Sequence, residues 1–171
     1  MRLTIALVCC FTAAAMEGQA TRARITLPGY RDAFPIEDVA TPFELNAPIA
    51  RAYDAIKGAF DDLKVPLDVN DGSGAVVGNK NIHALVSFAG FRLSRIVNCG
   101  SSPIGQNADS FKVSLVLLAL LDSTDAKHTK VRVGFVGGAE PIAGALRQGV
   151  QCGSTGLLEA KLIELASSRL H

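Results

Sequence analysis

The sequence predicts an α+β domain in which an antiparallel sheet of about five strands carries two helices on one face. Two segments, 48–63 and the C-terminal residues after Ser154 or Thr155, repeat apolar residues at helical spacing. Between them, apolar residues alternate with a period of two, as in half-buried strands. The predicted order of elements is β-α-β-β-β-β-β-α.

The first 20 residues are predicted to be a cleavable signal peptide. Arg2 supplies a basic start, an apolar run follows from Leu3 to Ala15, and small residues suited to cleavage end at Ala15 or Ala20. The run is shorter than the roughly 20 apolar residues that cross a bilayer as a helix. The chain is therefore expected to be periplasmic or extracellular.

Two cysteines inside this leader raise the question of a lipid anchor. Neither Cys9 nor Cys10 follows the small residue usual at lipid attachment sites, so membrane association through them stays open. Removing residues 1–20 removes one base and one acid, leaving 16 bases against 15 acids and a formal charge of +1. No global charge favours nucleic acid, and no later run is long enough for a transmembrane segment.

The remaining chain divides into an irregular arm over 21–40 and one domain over 41–171. A short strand is expected over 42–46, before the first helix. Within the two helices, apolar stripes should face the sheet: Ala52, Ile56, Ala59, Phe60 and Leu63 in the first, and Leu158, Leu162, Leu165 and Ala166 in the second.

Several strands are predicted between the helices. A hairpin is expected over 67–77, followed by strands over 91–98, 110–121 and 128–137. Period-two alternation should place Phe111, Val113, Leu115, Leu117 and Ala119 on the core face of one strand, and Thr129, Val131, Val133 and Phe135 on that of the next. The glycine-rich stretch 137–153 is predicted to be a loop.

Cys99 and Cys152 are the two cysteines that remain after the leader. An even pair in an exported chain predicts a disulfide. Such a crosslink would close a loop of more than fifty residues and contribute about 4 kcal/mol in the chain-entropy treatment.

One surface is a candidate binding face. The strand alternation turns five basic side chains outward, which would suit an anionic polymer or headgroup unless the face is simply solvated: Arg92, Lys112, His128, Lys130 and Arg132. The three histidines, His83, His128 and His171, lie at no metal-ligand spacing, so no metal site is expected. No motif indicates a cofactor or a catalytic residue.

The stretch from Pro48 through Lys64-Val65-Pro66 to Val77-Gly78-Asn79 resembles the opening of small bacterial envelope domains. Asn98-Cys99-Gly100, Asn107-Ala108-Asp109 and the segment from Cys152 to Glu159 resemble uncharacterised exported bacterial proteins. The element order is similar to the helix-grip domains of the lipoprotein subunit of the outer-membrane β-barrel assembly machine. The resemblance implies a helix-grip-like fold and an envelope interaction module, and it assigns no functional residue.

Three classes of function remain. The first is a non-enzymatic interaction or accessory module that binds an envelope protein or an anionic envelope component and presents an exposed apolar or basic patch. The second is a carrier with an apolar pocket behind Phe60, Phe111 and Leu162. The third is a hydrolase that uses Ser101 or Ser154, which requires a His or carboxylate within hydrogen-bond reach of the serine.

Overall fold

The computed structural model describes residues 23–103, 105–142 and 148–171. Its main elements are β1 (Ala40–Leu45), α1 (Ile49–Asp62), β2 (Val69–Asp71), β3 (Val76–Ala84), α2 (Leu93–Ile96), β4 (Val97–Asn98), α3 (Asn107–Ser110), β5 (Phe111–Ser123), β6 (Thr129–Pro141), β7 (Val150–Ser154) and α4 (Leu157–Ser168). Two-residue ladders join Arg24–Ile25 to Phe34–Pro35, Ser87–Phe88 to Phe91–Arg92, and Ser101–Ser102 to Gly105–Gln106. A 3-10 helix covers Ile36–Val39.

The predicted α+β class with an antiparallel sheet is confirmed, but the sheet has seven strands instead of about five. Its order is β2-β3-β5-β6, and the far edge of β6 is shared by β1 and β7, with β4 outside β7. The 13-residue strands β5 and β6 form a central hairpin, and the other five strands extend the sheet from its two edges.

The two long helices lie on one face of this sheet, as predicted. The apolar stripe of α1 and that of α4 pack together against the central hairpin, and the main core residues include Ile56, Phe60, Leu117, Phe135 and Leu162. The predicted core-facing alternation is confirmed in both hairpin strands. Thr129 is the polar member of that set, and its hydroxyl is satisfied by donating to the Ala47 carbonyl at 2.8 Å.

The opposite face of the sheet is covered by the chain before β1. Ile25, Leu27 and Ile36 pack there against a second apolar cluster from β3, β5 and β6: Val76, Val116, Leu118, Leu120 and Val136. We call residues 23–39 the arm. The molecule therefore has three layers, with the sheet buried on both faces over its central hairpin.

Two predictions of local structure are wrong. The expected strand over 91–98 is interrupted by α2, which leaves Arg92 in a separate two-residue ladder. The expected loop over 137–153 contains the end of β6 and four of the five residues of β7. Two of the glycines that suggested a loop, Gly138 and Gly149, instead leave room for the arm, since a Cβ on Gly138 would overlap the Pro28 backbone.

Cys99 and Cys152 form the predicted disulfide. The bond joins the segment after β4 to β7, beside the strand pairing of Asn98 with Gly153. Both cysteines are buried in the main core. The predicted signal peptide, including Cys9 and Cys10, lies outside the described residues. Among the helices that the structure describes, none has both the length and the apolar character needed to span a bilayer.

Candidate functional site: an exposed apolar patch at one end of the sheet

Large apolar side chains are exposed where β3 ends and where β6 ends. Leu85 is 56% exposed, Val86 53% and Ile142 66%. Leu85 and Ile142 line one surface cleft of about 240 Å³ together with Lys112, Glu140 and Pro141. Val86 follows Leu85 directly in the chain. We call the five cleft residues together with Val86 the Val86 patch. Exposed apolar side chains gathered in this way are typical of interaction sites.

The position of the patch follows from the register of the sheet. Ala84 pairs with Val113, and Phe111 pairs with Pro141, so three neighbouring strands end side by side. Lys112 and Glu140 lie directly opposite one another on β5 and β6. The apolar side chains therefore have one basic and one acidic residue beside them.

Val86 adopts an unfavourable backbone conformation. Its φ angle is +68°, and the Ser87 N–H donates to the Leu85 carbonyl at 2.7 Å, which closes a three-residue γ-turn. A β-branched residue in this left-handed region costs on the order of 1–2 kcal/mol. Strained residues of this kind persist only where surrounding structure holds them, and they cluster at functional sites.

The surrounding structure does hold this turn. The Leu93 N–H donates to the Val86 carbonyl at 2.8 Å, which fixes the turn to the start of α2. The ladder of Ser87–Phe88 with Phe91–Arg92 follows at once, and both phenylalanines pack against the main core. The two aromatic anchors allow the strained Val86 to stay exposed.

The five predicted basic residues are not brought together into one continuous face. Lys112, Lys130 and Arg132 share the arm side of the sheet, but Val116, Leu118 and Leu120 lie between the two ends of the hairpin and contact the arm. Three of the five have acidic partners: Arg92 with Asp109 at 3.0 Å, His128 with Asp125 at 2.7 Å, and Arg132 with Asp122 at 3.1 Å.

The ionisation of Asp125 reflects its place at the tip of the hairpin. The Lys127 backbone N–H, followed by the side chain of His128, lowers the pKa of the Asp125 carboxyl. These contacts close the turn between β5 and β6. The predicted candidate residue His128 thus has a local structural role, and Lys112 is the predicted basic residue that lies in the Val86 patch.

One of the two serines named for the hydrolase alternative lies close to a carboxyl group. The Ser154 hydroxyl accepts from the Gly156 N–H at 2.9 Å, and it is near enough to Glu159 to affect the pKa of that carboxyl. Glu159 is 1% exposed, and burial raises the pKa of its carboxyl while the Ser154 contact lowers it. The Glu159 Oε2 atom has no hydrogen-bond partner among the described residues.

The residues named for the carrier alternative belong to the packed interior. Phe60 and Leu162 are fully buried in the main core, and Phe111 packs at its edge. The other named serine, Ser101, lies in an exposed two-residue ladder opposite Gln106. Within 23–103, 105–142 and 148–171, no cluster of three or more His, Cys, Asp or Glu side chains is arranged to hold a metal ion.

Sequence reasoning missed Leu85, Val86 and Ile142. Residues 79–90 have no clear period, and an exposed apolar residue has no sequence signal that separates it from a buried one. Comparisons of the chain with protein-family models, with curated proteins and with solved structures find no match.

Proposed function

We propose that this protein is an exported, non-enzymatic interaction module of the bacterial cell envelope that docks a partner protein through the Val86 patch. The observation that carries the proposal is the exposure of Leu85, Val86 and Ile142 around a backbone turn that is strained. An apolar surface held at a conformational cost suits a contact that forms only on binding. The partner would present an apolar surface with charges complementary to Lys112 and Glu140.

Export and envelope location are part of the proposal. The buried Cys99–Cys152 disulfide supports them, because such bonds persist in oxidising compartments such as the periplasm. We further propose a helix-grip-like arrangement. Its support is that α1 and α4 lie on one face of an antiparallel sheet, with α1 after the first strand of that sheet and α4 after the last. This order is the basis of the resemblance to the β-barrel assembly lipoprotein.

An anionic envelope component is the proposed secondary contact. Lys112 and Lys130 are exposed, and they lie near opposite ends of the central hairpin. Neither is part of an ion pair in the described residues, whereas the other three predicted basic residues are. Their contribution should be limited, because exposed charges are screened at physiological ionic strength.

The direct test is site-specific photo-crosslinking in the native host. A photoreactive residue replaces Val86 in one variant and Val39 in a control, since Val39 is also exposed, at 37%, but lies in the 3-10 helix of the arm. We expect a discrete adduct at position 86 in the envelope fraction and none at position 39. An adduct-free position 86, or the same products from both positions, would overturn the docking site.

A glycine substitution separates strain from binding. Val86→Gly should stabilise the fold by about 1 kcal/mol, because glycine tolerates a positive φ, and should also weaken the crosslinked complex. Lys64→Gly is the matched control, because Lys64 has a φ of +57° at the exposed end of α1. This substitution should stabilise the fold without affecting the complex. Urea unfolding measures the first effect. The adduct yield from a photoreactive residue placed at Leu85 measures the second, because position 86 itself carries the glycine.

The Ser154–Glu159 contact favours one alternative, a hydrolase that uses Ser154 as its nucleophile. The same hydroxyl accepts from Gly156 at the start of α4, which gives it a structural use as well. A fluorophosphonate probe distinguishes the two roles, because an activated serine would be labelled and Ser154→Ala would abolish the label. We expect no labelling of Ser154 by the probe.

A further inference from the structure

A second surface feature lies beside the disulfide, among residues that the Val86 patch does not use. It is a groove of about 700 Å³, a size typical of small-molecule sites. Its described lining consists of neutral residues, and all but the glycine carry hydroxyl or amide groups: Ser94, Asn98, Gly100, Ser101, Gln106 and Thr155. No aromatic or charged residue is among them.

The walls of this groove are joined covalently and by hydrogen bonds. Cys99, between two lining residues, is bonded to Cys152, three residues before Thr155. Thr155 is held to the opposite wall twice, because its N–H donates to the Ile96 carbonyl at 3.0 Å and its hydroxyl donates to the Arg95 carbonyl at 2.8 Å. A groove fixed in this way is preorganised for a ligand.

Two exposed side chains at the groove have no hydrogen-bond partner in the part of the chain that the structure describes: the Ser101 hydroxyl and the Gln106 amide. Asn107 lies next to them and is 92% buried; its Nδ2 donates to the Cys99 carbonyl at 3.1 Å, while its Oδ1 has no donor. Buried polar atoms are almost always paired, so this acceptor is an exception, but Asn107 is not among the residues that line the groove. The groups that a ligand can reach are therefore the exposed side chains of Ser101 and Gln106.

The charges nearest the groove lie outside its described lining. Asp109 accepts from the Ser94 backbone N–H at 3.1 Å and pairs with Arg92 at 3.0 Å, so this acid and this base neutralise each other. Arg95, the exposed base that follows Ser94, is not among the lining residues. Gly100 and Gly105, both at positive φ, leave the surface free of side chains, so that a ligand could approach the backbone closely.

We propose that this groove binds a neutral oligosaccharide segment that carries hydroxyl and acetamido groups. Serine and threonine hydroxyls both donate and accept, and the amides of Asn98 and Gln106 offer a donor and an acceptor side by side. Sugar hydroxyls and acetamido groups present the complementary pairs. Without aromatic stacking, affinity rests on hydrogen bonds, and we expect a Kd of about 1 mM.

The experiment uses the chain purified with its disulfide intact and isotopically labelled. Chitotetraose, a neutral tetramer of N-acetylglucosamine, is titrated while backbone amide signals are followed by NMR. The signals of Asn98, Ser101, Gln106 and Thr155 should shift together with one saturable curve. The Ser101→Ala/Gln106→Ala double variant should weaken binding at least about fivefold, while Gln148→Ala, an exposed glutamine outside the groove, should match the parent protein.

Each contrary result overturns the proposal. No saturable shift by about 10 mM, far above the expected Kd, excludes a glycan site. Shifts confined to other surfaces exclude this groove, and so does a double variant that binds as the parent protein does. Tighter binding of a tetra-alanine peptide to the same residues would identify the groove as a peptide site instead. The double variant changes only exposed side chains, so it should fold as the parent protein does. Its amide spectrum checks that it does.

Discussion

The two faces of the central hairpin are buried in different ways. On the helix face, large side chains such as Leu117 and Phe135 interdigitate with α1 and α4. On the arm face, Leu118 and its neighbours contact a segment that has only a two-residue ladder and a 3-10 helix of its own. The helix-face interface forms between bulky side chains of both partners. Much of the arm-face interface forms where glycines of β6 let the arm approach the strand backbone.

The glycines of β6 show this difference most clearly. A Cβ on Gly134 would overlap the side chain of the fully buried Ile36, and one on Gly138 would overlap the Pro28 carbonyl. Gly149, the residue before β7, is also close to the arm, since its Cβ would be 2.6 Å from the Gly29 nitrogen. A strand can therefore bury a face through close backbone approach as well as through side-chain volume.

Adjacent leucines on β5 provide the strongest test of this comparison. Leu117 and Leu118 are both fully buried, one on each face. We expect Leu117→Ala to lower the free energy of unfolding by about 3–5 kcal/mol, and Leu118→Ala by about 2–3 kcal/mol, because the arm can settle into the cavity while packed helices cannot. Urea unfolding measures both. Equal losses would show that the arm packs as rigidly as the helices.

A glycine pair on neighbouring strands tests the close approach of the arm. Gly138→Ala should lower the free energy of unfolding by about 1–3 kcal/mol, because the new methyl group overlaps the Pro28 backbone. Gly153→Ala is the control, since a Cβ there meets nothing within 4 Å. Amide hydrogen exchange should show faster exchange in the arm of the first variant. Unchanged protection of Ile36, whose N–H donates to Ala23, would contradict this account.

The helix side of the molecule contains a buried acid, and this predicts a pH dependence. Burial raises the pKa of Glu159, so the folded state binds its proton more tightly than the unfolded state. Stability should therefore fall as pH rises above about 4.3, the usual glutamate value, until the folded-state pKa is passed. Each unit between the two pKa values is worth about 1.4 kcal/mol.

Glu159→Gln tests that dependence with the smallest expected change in packing. The variant should remove this component of the pH dependence and be more stable than the parent protein at neutral pH. Unfolding is compared from pH 4 to pH 8. The prediction is wrong if the stability of the parent protein rises with pH over this window and that of the variant does not. The Glu159 carboxylate would then be better solvated in the folded state. Glu164→Gln, on an exposed turn of the same helix, is the control.

The predictable part of the fold is the part that follows a period. The stripes of α1 and α4 and the core-facing alternation of β5 and β6 follow from residue spacing alone. The disulfide was predictable because Cys99 and Cys152 are the two cysteines outside the predicted leader. The strand β7 and the end of β6 could not be predicted, because Gly138 and Gly149 have the same signature in a loop and beneath a docked segment.

The candidate site was less predictable than the fold. Lys112 is the one residue of the Val86 patch that the sequence pattern marks as a candidate, because it is basic and lies on an outward strand position. Val86 is unremarkable in sequence, since valine ordinarily favours a strand. Its γ-turn arises because α2 and the two anchoring phenylalanines hold both sides of it. Tertiary contacts therefore overrode a local preference at this position.

The α+β class, the two long helices, the two long strands and the cysteine pair follow from the amino-acid sequence alone, because they depend on local periodicity and composition. Which exposed groups lie together depends on the three-dimensional fold. The cleft of the Val86 patch joins Leu85 to Lys112 and to residues 140–142, and the polar groove joins residues between 94 and 106 to Thr155. Such neighbours come from sheet register and the disulfide, which link distant parts of the chain and leave no local pattern in it.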